Sequence, residues 1–304
     1  MRYIITGSTS FIGVFLCRHL IEEGETVYAV CRTVSDISRL PNSLNLHVIY
    51  ADIADITTIR EMIDVADIFI NLAWGGSAQS KRNEFSIHSQ NVSNTIKAIK
   101  TAKDLGCKLF IESGSQAEYG FHDEIIYENT PCCPVSAYGK AKLEVCNTGM
   151  LLSTQLGIKY VHLRIFSVYG ENDHNYTLIS NSLNKMLINA PLELSTCVQK
   201  WNFLYVVDAA KIIVLLARKI YYQVNVTNEI FNVASFDTRI LRSYIEELKE
   251  ITNSQSLLLY GAYQTDRLLS LSPSMAKTQL YIDEIKLTPF YVGIQNTIHS
   301  MKLL

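Results

Sequence analysis

The opening of this chain constrains its fold most. A short apolar run, residues 3–6, leads directly into Thr6-Gly7-Ser8-Thr9-Ser10-Phe11-Ile12-Gly13. A helical stripe follows, with apolar residues at 12, 15, 16 and 20. Small residues in such a turn let a phosphate approach the backbone, and the helix start offers amide donors and a positive dipole end. Gly7 is read as the tight turn and Gly13 as the close approach of helix to strand. Ser10, Phe11 and Ile12 lie between them, with the Ser10 hydroxyl available to a phosphate oxygen.

The rhythm continues through the first half. Residues 26–31, 47–50, 67–72, 108–112 and 160–163 read as strands. Residues 11–23, 56–63, 83–105 and 136–156 read as helices, and Gly24, Gly106 and Gly157 end three of them. Strand–helix alternation at this pitch predicts an α/β protein with a doubly wound parallel sheet, the Rossmann arrangement, over residues 1–170. Beyond that the pattern breaks into helices at 178–189, 208–218 and 241–251 between short strands. A smaller mixed α/β region over residues 171–304 is expected, with segments around 200–235 returning to the first sheet.

Composition excludes several alternatives. In 304 residues, 48% are hydrophobic and 27 Lys+Arg face 29 Asp+Glu, too apolar for disorder and without the basic excess of a nucleic-acid binder. The seven cysteines have no C-x-x-C spacing, and Cys132 and Cys133 are adjacent, so they are read as reduced thiols. No histidine pair has metal-like spacing, and no metal is expected. No charged-then-apolar leader opens the chain. Its longest apolar stretch, near 212–217, falls short of the ~20 residues that span a bilayer. A cytoplasmic protein with no membrane partner is expected.

In a doubly wound sheet the carboxyl ends of the strands line the ligand crevice. After the second strand Arg32 stands where an NAD site usually has an acid. A guanidinium there can hold a 2′-phosphate, which favours NADP with NAD as the alternative; otherwise Arg32 is a solvated loop residue. Asp52 and Ile53 follow the third strand, either beside an adenine ring or, for Asp52, as a helix N-cap. Leu72 and Ala73 leave the fourth strand, and Ser113 and Ser115 leave the fifth, where small residues let a cofactor pass. Tyr138 and Lys142, four apart early in a long helix, share one face. A phenol beside an ammonium makes a usable general acid, and Ser115 is placed to bond the oxygen being reduced.

Together these pieces resemble the extended short-chain dehydrogenase/reductases, the NAD-dependent epimerase/dehydratase family. The glycine turn, Asn71-Leu72-Ala73, Ser115 with Tyr119-Gly120, and Tyr138-x-x-x-Lys142 occur in the family's order. Leu163-Arg164-Ile165-Phe166-Ser167-Val168-Tyr169-Gly170 and Trp201-Asn202-Phe203-Leu204-Tyr205-Val206-Val207-Asp208 are similar to two further family segments. The resemblance implies a nucleotide-diphosphate sugar as substrate and Ser115, Tyr138 and Lys142 as catalytic residues. It adds Asn91, Ser167, Trp201 and Arg267 on the substrate side, Trp201 either stacking on the ligand or serving as a core aromatic. Trp201 occupies the place of a diphosphate-binding arginine, so either Arg267, Lys200 or Lys185 takes that role or the substrate is bound differently. Ser115-Gln116-Ala117 replaces the T-D-E of the sugar dehydratases, which argues against dehydration. The segment through Tyr119-Gly120 looks like reductases of 4-keto-6-deoxy sugars, of the CDP-abequose and dTDP-fucose synthase types. The expected activity is therefore NADPH-dependent reduction of a C4 ketone. The alternatives are a UDP-sugar 4-epimerase with bound NAD and a non-catalytic cofactor-binding protein. Family likeness in the two long helices implies a homodimer.

Overall fold

The computed structural model describes residues 1–263, 269–283 and 285–302. Its centre is a seven-stranded parallel sheet. In chain order the strands are β1 (Arg2–Thr6), β2 (Thr26–Cys31), β3 (Leu46–Tyr50), β4 (Ile68–Asn71), β5 (Leu109–Ser115), β6 (Lys159–Ile165) and, after an interval, β10 (Asn228–Val233). Their spatial order is β10-β6-β5-β4-β1-β2-β3, so the chain starts in the middle, winds to one edge and returns to build the other. That reversal beside β1 opens the crevice of a doubly wound sheet.

Helices cover both faces. On one, α1 (Phe11–Glu22) packs against α5 (Val206–Tyr222). On the other, α2 (Phe85–Asp104) and α3 (Ala137–Leu156) pack together, with a 3-10 helix at Ile53–Glu61 beside them. The sequence pattern places a helix near 56–63, and the helix found is of the tighter 3-10 kind. The tighter helix starts earlier because Asp52 caps it, its carboxylate accepting from Ala54 N at 2.9 Å.

Strands buried on both faces read as continuous apolar runs, as in Ile68-Phe69-Ile70 and Leu109-Phe110-Ile111. Each such side chain contributes roughly 1.5–3 kcal/mol by leaving water. Alternation sends Ile4, Phe69, Phe110 and Tyr160 to the α2/α3 face, where register sets them side by side. Two residues further on, the same register makes a row of Thr6, Asn71, Glu112 and His162. A polar row thus crosses the sheet two residues beyond an apolar one, close to the strand ends.

The remainder is smaller and mixed. A three-stranded sheet joins β7 (Ser167–Tyr169), β9 (Lys200–Tyr205) and β11 (Thr238–Ile240). A parallel pair joins β8 (Leu192–Leu194) and β12 (Leu258–Tyr260). Around them lie α4 (Leu178–Leu187), α6 (Leu241–Ile251), α7 (Ala276–Ile282) and α8 (Phe290–Lys302). Asp208, on α5, accepts from the Thr288 amide at 2.7 Å and its hydroxyl at 3.1 Å, tying the segment before α8 to the central sheet's helices. All seven cysteines are free thiols, five of them buried. Among the described residues no helix is long and apolar enough to cross a membrane.

Candidate active site

A cleft of about 360 Å³ opens where β1, β4 and β5 end. Ser115, Tyr138 and Lys142 all line it, together with Ser10, Phe11, Ile12, Leu72, Ser113 and Ser167. Residues far apart in sequence therefore meet at one place.

Ser136 starts α3 by accepting from Gly139 N at 3.0 Å, which puts Tyr138 in the first turn. Three groups hold its ring. The Trp74 indole stands edge-on at 6.0 Å, His88 lies at 5.7 Å, and the Arg82 guanidinium lies 5.1 Å from the ring centre. Indole N–H can only donate, so the 3.3 Å bond from Trp74 to His88 Nδ1 leaves His88 Nε2 donating to the Lys81 carbonyl at 3.1 Å.

Lys142 comes one turn later and is 2% exposed. Its ammonium donates to the Ser113 carbonyl, lies 3.4 Å from Glu112 Oε1 and sits 3.6 Å over the Trp74 ring. Glu112 is fully buried in the polar row and also accepts from Asn71 Nδ2 at 2.6 Å. Burial pushes its carboxyl above the usual range, against the pull of Lys142 and Asn71.

Ser115 closes β5 and begins a one-turn 3-10 helix, its Oγ accepting from Ala117 N at 3.2 Å. Acceptance there leaves the hydroxyl hydrogen free to donate into the cleft. Glu118 completes a capping box by accepting from Ser115 N at 2.7 Å. That carboxylate also meets His162 Nε2 at 2.9 Å and Arg164 Nε at 2.8 Å. Burial opposes its ionisation, yet His162, Arg164 and the Ser115 amide bring it down to about 2.

Glu118, Cys146 and His162 place ligand-type atoms within 4.8 Å of one another. Arg164, His162 and Ser115 already use the Glu118 oxygens, and burial raises the Cys146 thiol to about 12. Chemically this cluster is a closed hydrogen-bond network, not a metal-ligand set.

The glycine turn has the shape a dinucleotide needs. Gly7 has φ +65°, and a Cβ there would come within 2.9 Å of Ala73 N; at Gly13 it would lie 2.2 Å from the Gly7 carbonyl. Ser10 caps α1 by accepting from Gly13 N at 3.2 Å. A neighbouring cavity of about 70 Å³ is lined by Gly7, Arg32, Ile53 and Ala73 among others, none of them acidic. Asp52 is exposed, caps the following helix and does not line that cavity. Arg39, not singled out in the sequence, donates to the Thr9 carbonyl at 2.9 Å beside the turn.

On the other side, Ser167 borders both the cleft and a cavity of about 220 Å³ that Asp173 and Trp201 also line. Trp201 packs against the core, and its indole nitrogen is buried with no hydrogen-bond partner among the described residues. Asn91 donates from its amide nitrogen to the Gly75 carbonyl at 2.8 Å, and its amide oxygen accepts from Gly75 N at 3.1 Å, clamping the loop after β4. Lys185 and Lys200 line none of these three cavities, and Arg267 lies outside the described residues.

Sequence reasoning missed Trp74, Arg82, Glu112 and the Glu118–His162–Arg164 cluster. One signal was present: charges inside β5 and β6, strands otherwise apolar, require partners when buried.

The chain matches the NAD dependent epimerase/dehydratase family over residues 3–234. It is 24% identical over 277 residues to a CDP-abequose synthase of Salmonella muenchen, covering 86% of this chain and 84% of that one. It is 29% identical over 175 residues to a UDP-glucose 4-epimerase of Streptococcus mutans, covering 56% of this chain and 53% of that protein, about half its length. Among solved structures, a UDP-glucuronic acid 4-epimerase of Bacillus cereus in complex with UDP-glucuronic acid and NAD superposes with a TM-score of 0.87. It is 20% identical, and the match covers 100% of this chain and 99% of that one.

Proposed function

The chain belongs to the NAD dependent epimerase/dehydratase family, and from that premise we propose that it is an NADPH-dependent reductase. Its substrate in this reading is the C4 ketone of a nucleotide-diphosphate-linked 4-keto-6-deoxyhexose. The observation that carries the reading is the meeting of Ser115, Tyr138 and Lys142 in one cleft beside the glycine turn.

Gly7, Ser10, Phe11, Ile12 and Gly13 would hold the cofactor's pyrophosphate, Ile53 and Ala73 its adenosine half, and Leu72, Ser113 and Lys142 the nicotinamide half. The chemistry such a cofactor supplies when bound is hydride transfer. Arg32, with no acid lining the same cavity, supports a 2′-phosphate and hence NADP. Tyr138 gives its phenolic proton to the sugar oxygen as that oxygen becomes a hydroxyl. Ser115 donates to the same oxygen, and Lys142 supplies a fixed positive charge beside Tyr138. Ser167 and Trp201 border the space for the sugar and its nucleotide. Gln116-Ala117, where a dehydratase carries an acid pair, supports reduction without loss of water. Two copies would pair through α2 and α3.

The second reading is a UDP-sugar 4-epimerase with retained NAD. The aligned epimerase of Streptococcus mutans favours it, and the same three residues serve it. Heat-denaturing the purified protein and identifying the nucleotide released separates the two, since retained NAD belongs to the epimerase. For the reductase, a panel of nucleotide-linked 4-keto sugars is followed by NADPH absorbance. Turnover of one member that falls roughly 10²–10⁴-fold in Tyr138→Phe is the expected result; full activity in that variant removes Tyr138 from the chemistry.

A further inference from the structure

We propose that Arg82 is a positioning residue for Tyr138, a cation laid on the phenol ring that stabilises the phenolate left when the hydroxyl proton is given up. The inference rests on the reading of Tyr138 as proton donor.

Arg82 holds Tyr138 from two directions. Its backbone carbonyl accepts from Tyr138 N at 2.9 Å, and the neighbouring Asn83 side chain accepts from Ala137 N at 3.2 Å. The first amides of a helix have no partner within it, so this segment satisfies two of them and fixes the start of α3. From that anchor the side chain reaches over the ring, with Cζ 5.1 Å from its centre, inside the ~6 Å range of cation–π attraction.

The charge is also uncommitted. Among the described residues no carboxylate lies within ion-pair distance of Arg82, and its Nε donates to the Ser77 carbonyl at 3.3 Å. Arg82 and Lys142 both line the cleft. Lys142 is already engaged by the Ser113 carbonyl and by the Glu112 carboxyl 3.4 Å away. Among the described residues Arg82 has no carboxyl partner of that kind.

The step it assists is a proton transfer. The O–H bond of Tyr138 breaks, a new O–H bond forms on the sugar oxygen, and the electron pair of the broken bond stays on the phenol. That negative charge spreads into the ring, whose face the guanidinium covers. Water returns the proton after the product leaves. An electrostatic partner already in place when the charge develops lowers the barrier without a reorganisation cost.

The test is a double-mutant cycle on the substrate found in the panel above, using Arg82→Met, Arg82→Lys, Tyr138→Phe and the Arg82→Met/Tyr138→Phe double variant. The carbonyl that caps α3 is backbone and survives every substitution. Arg82→Met is expected to lower kcat about tenfold with the KM for sugar and cofactor unchanged, and Arg82→Lys to restore most of it. In the Tyr138→Phe background Arg82→Met is expected to cost nothing further. Losses that multiply in the double variant, or a raised KM with unchanged kcat, overturn the inference and assign Arg82 to a substrate contact. An unchanged kcat also overturns it. A wild-type protein that turns over no nucleotide sugar in the panel overturns the reading beneath it as well, a distinct outcome.

Discussion

Two carboxylates stand six residues apart at the exit of β5, both fully buried, and they behave in opposite ways. Glu112 lies below Lys142 in the polar row. It has one close donor, Asn71 Nδ2 at 2.6 Å, and an ammonium at 3.4 Å, and burial wins: its carboxyl is pushed up. Glu118 lies below Ser115. It has three donors between 2.7 and 2.9 Å, two of them from His162 and Arg164, and its carboxyl falls to about 2. Burial is nearly equal in the two places, so the number and closeness of donors decide the direction of the shift. For the proposed chemistry this means that Ser115 is fixed by a permanently charged anchor, whereas Lys142 rests on a looser one.

The sharpest way to break this contrast is to delete the better-held anion. Glu118→Leu leaves Arg164 and His162 facing each other without a counter-charge, and a loss of about 3–5 kcal/mol in urea unfolding is expected. A loss below ~1 kcal/mol would show that the cluster is not the anchor described here.

Acid is the next probe. A carboxyl lowered from 4.5 to about 2 contributes stability that is fully present above its unfolded value. That stability drains as pH falls from about 4.5 towards 2, by a few kcal/mol in all. Glu118→Gln, which cannot ionise, should lack this component of the acid limb when urea midpoints are compared across that range.

Glu112→Gln should show the smallest effect and the opposite slope. A raised carboxyl binds its proton more tightly when folded, so its contribution is fully present below the unfolded value and is lost as pH rises through the folded one. At acid pH, where both side chains are neutral, the variant should lie within about 0.5 kcal/mol of the wild type, and it should gain on the wild type as pH increases. Parallel pH profiles for the two proteins would contradict the raised value.

Much of this architecture is visible in residue order. The glycine turn at Thr6–Gly13, the apolar runs that became β4 and β5, and the stops at Gly24, Gly106 and Gly157 carry the parallel sheet. Tyr138 and Lys142 come together because four residues span one helical turn. The mixed half was less legible. There β7, β8, β11 and β12 are three residues long, too short for periodicity to register. Asn91 illustrates a different limit, because residue order does not show that this buried helix amide bonds the backbone of Gly75.

What the sequence by itself determined is local: which runs are strands, which are helices, where glycine permits a backbone to pass, and which side chains share a helix face. These follow from nearest-neighbour sterics and from periods of two and 3.6. Tertiary structure decided the rest. Thr6, Asn71, Glu112 and His162 form one row because parallel register lines up four strands drawn from across 157 residues of chain. Arg82 meets Tyr138 because a loop folds back onto the start of α3. Such contacts depend on distance in space, and a chain order read one residue at a time does not contain that distance.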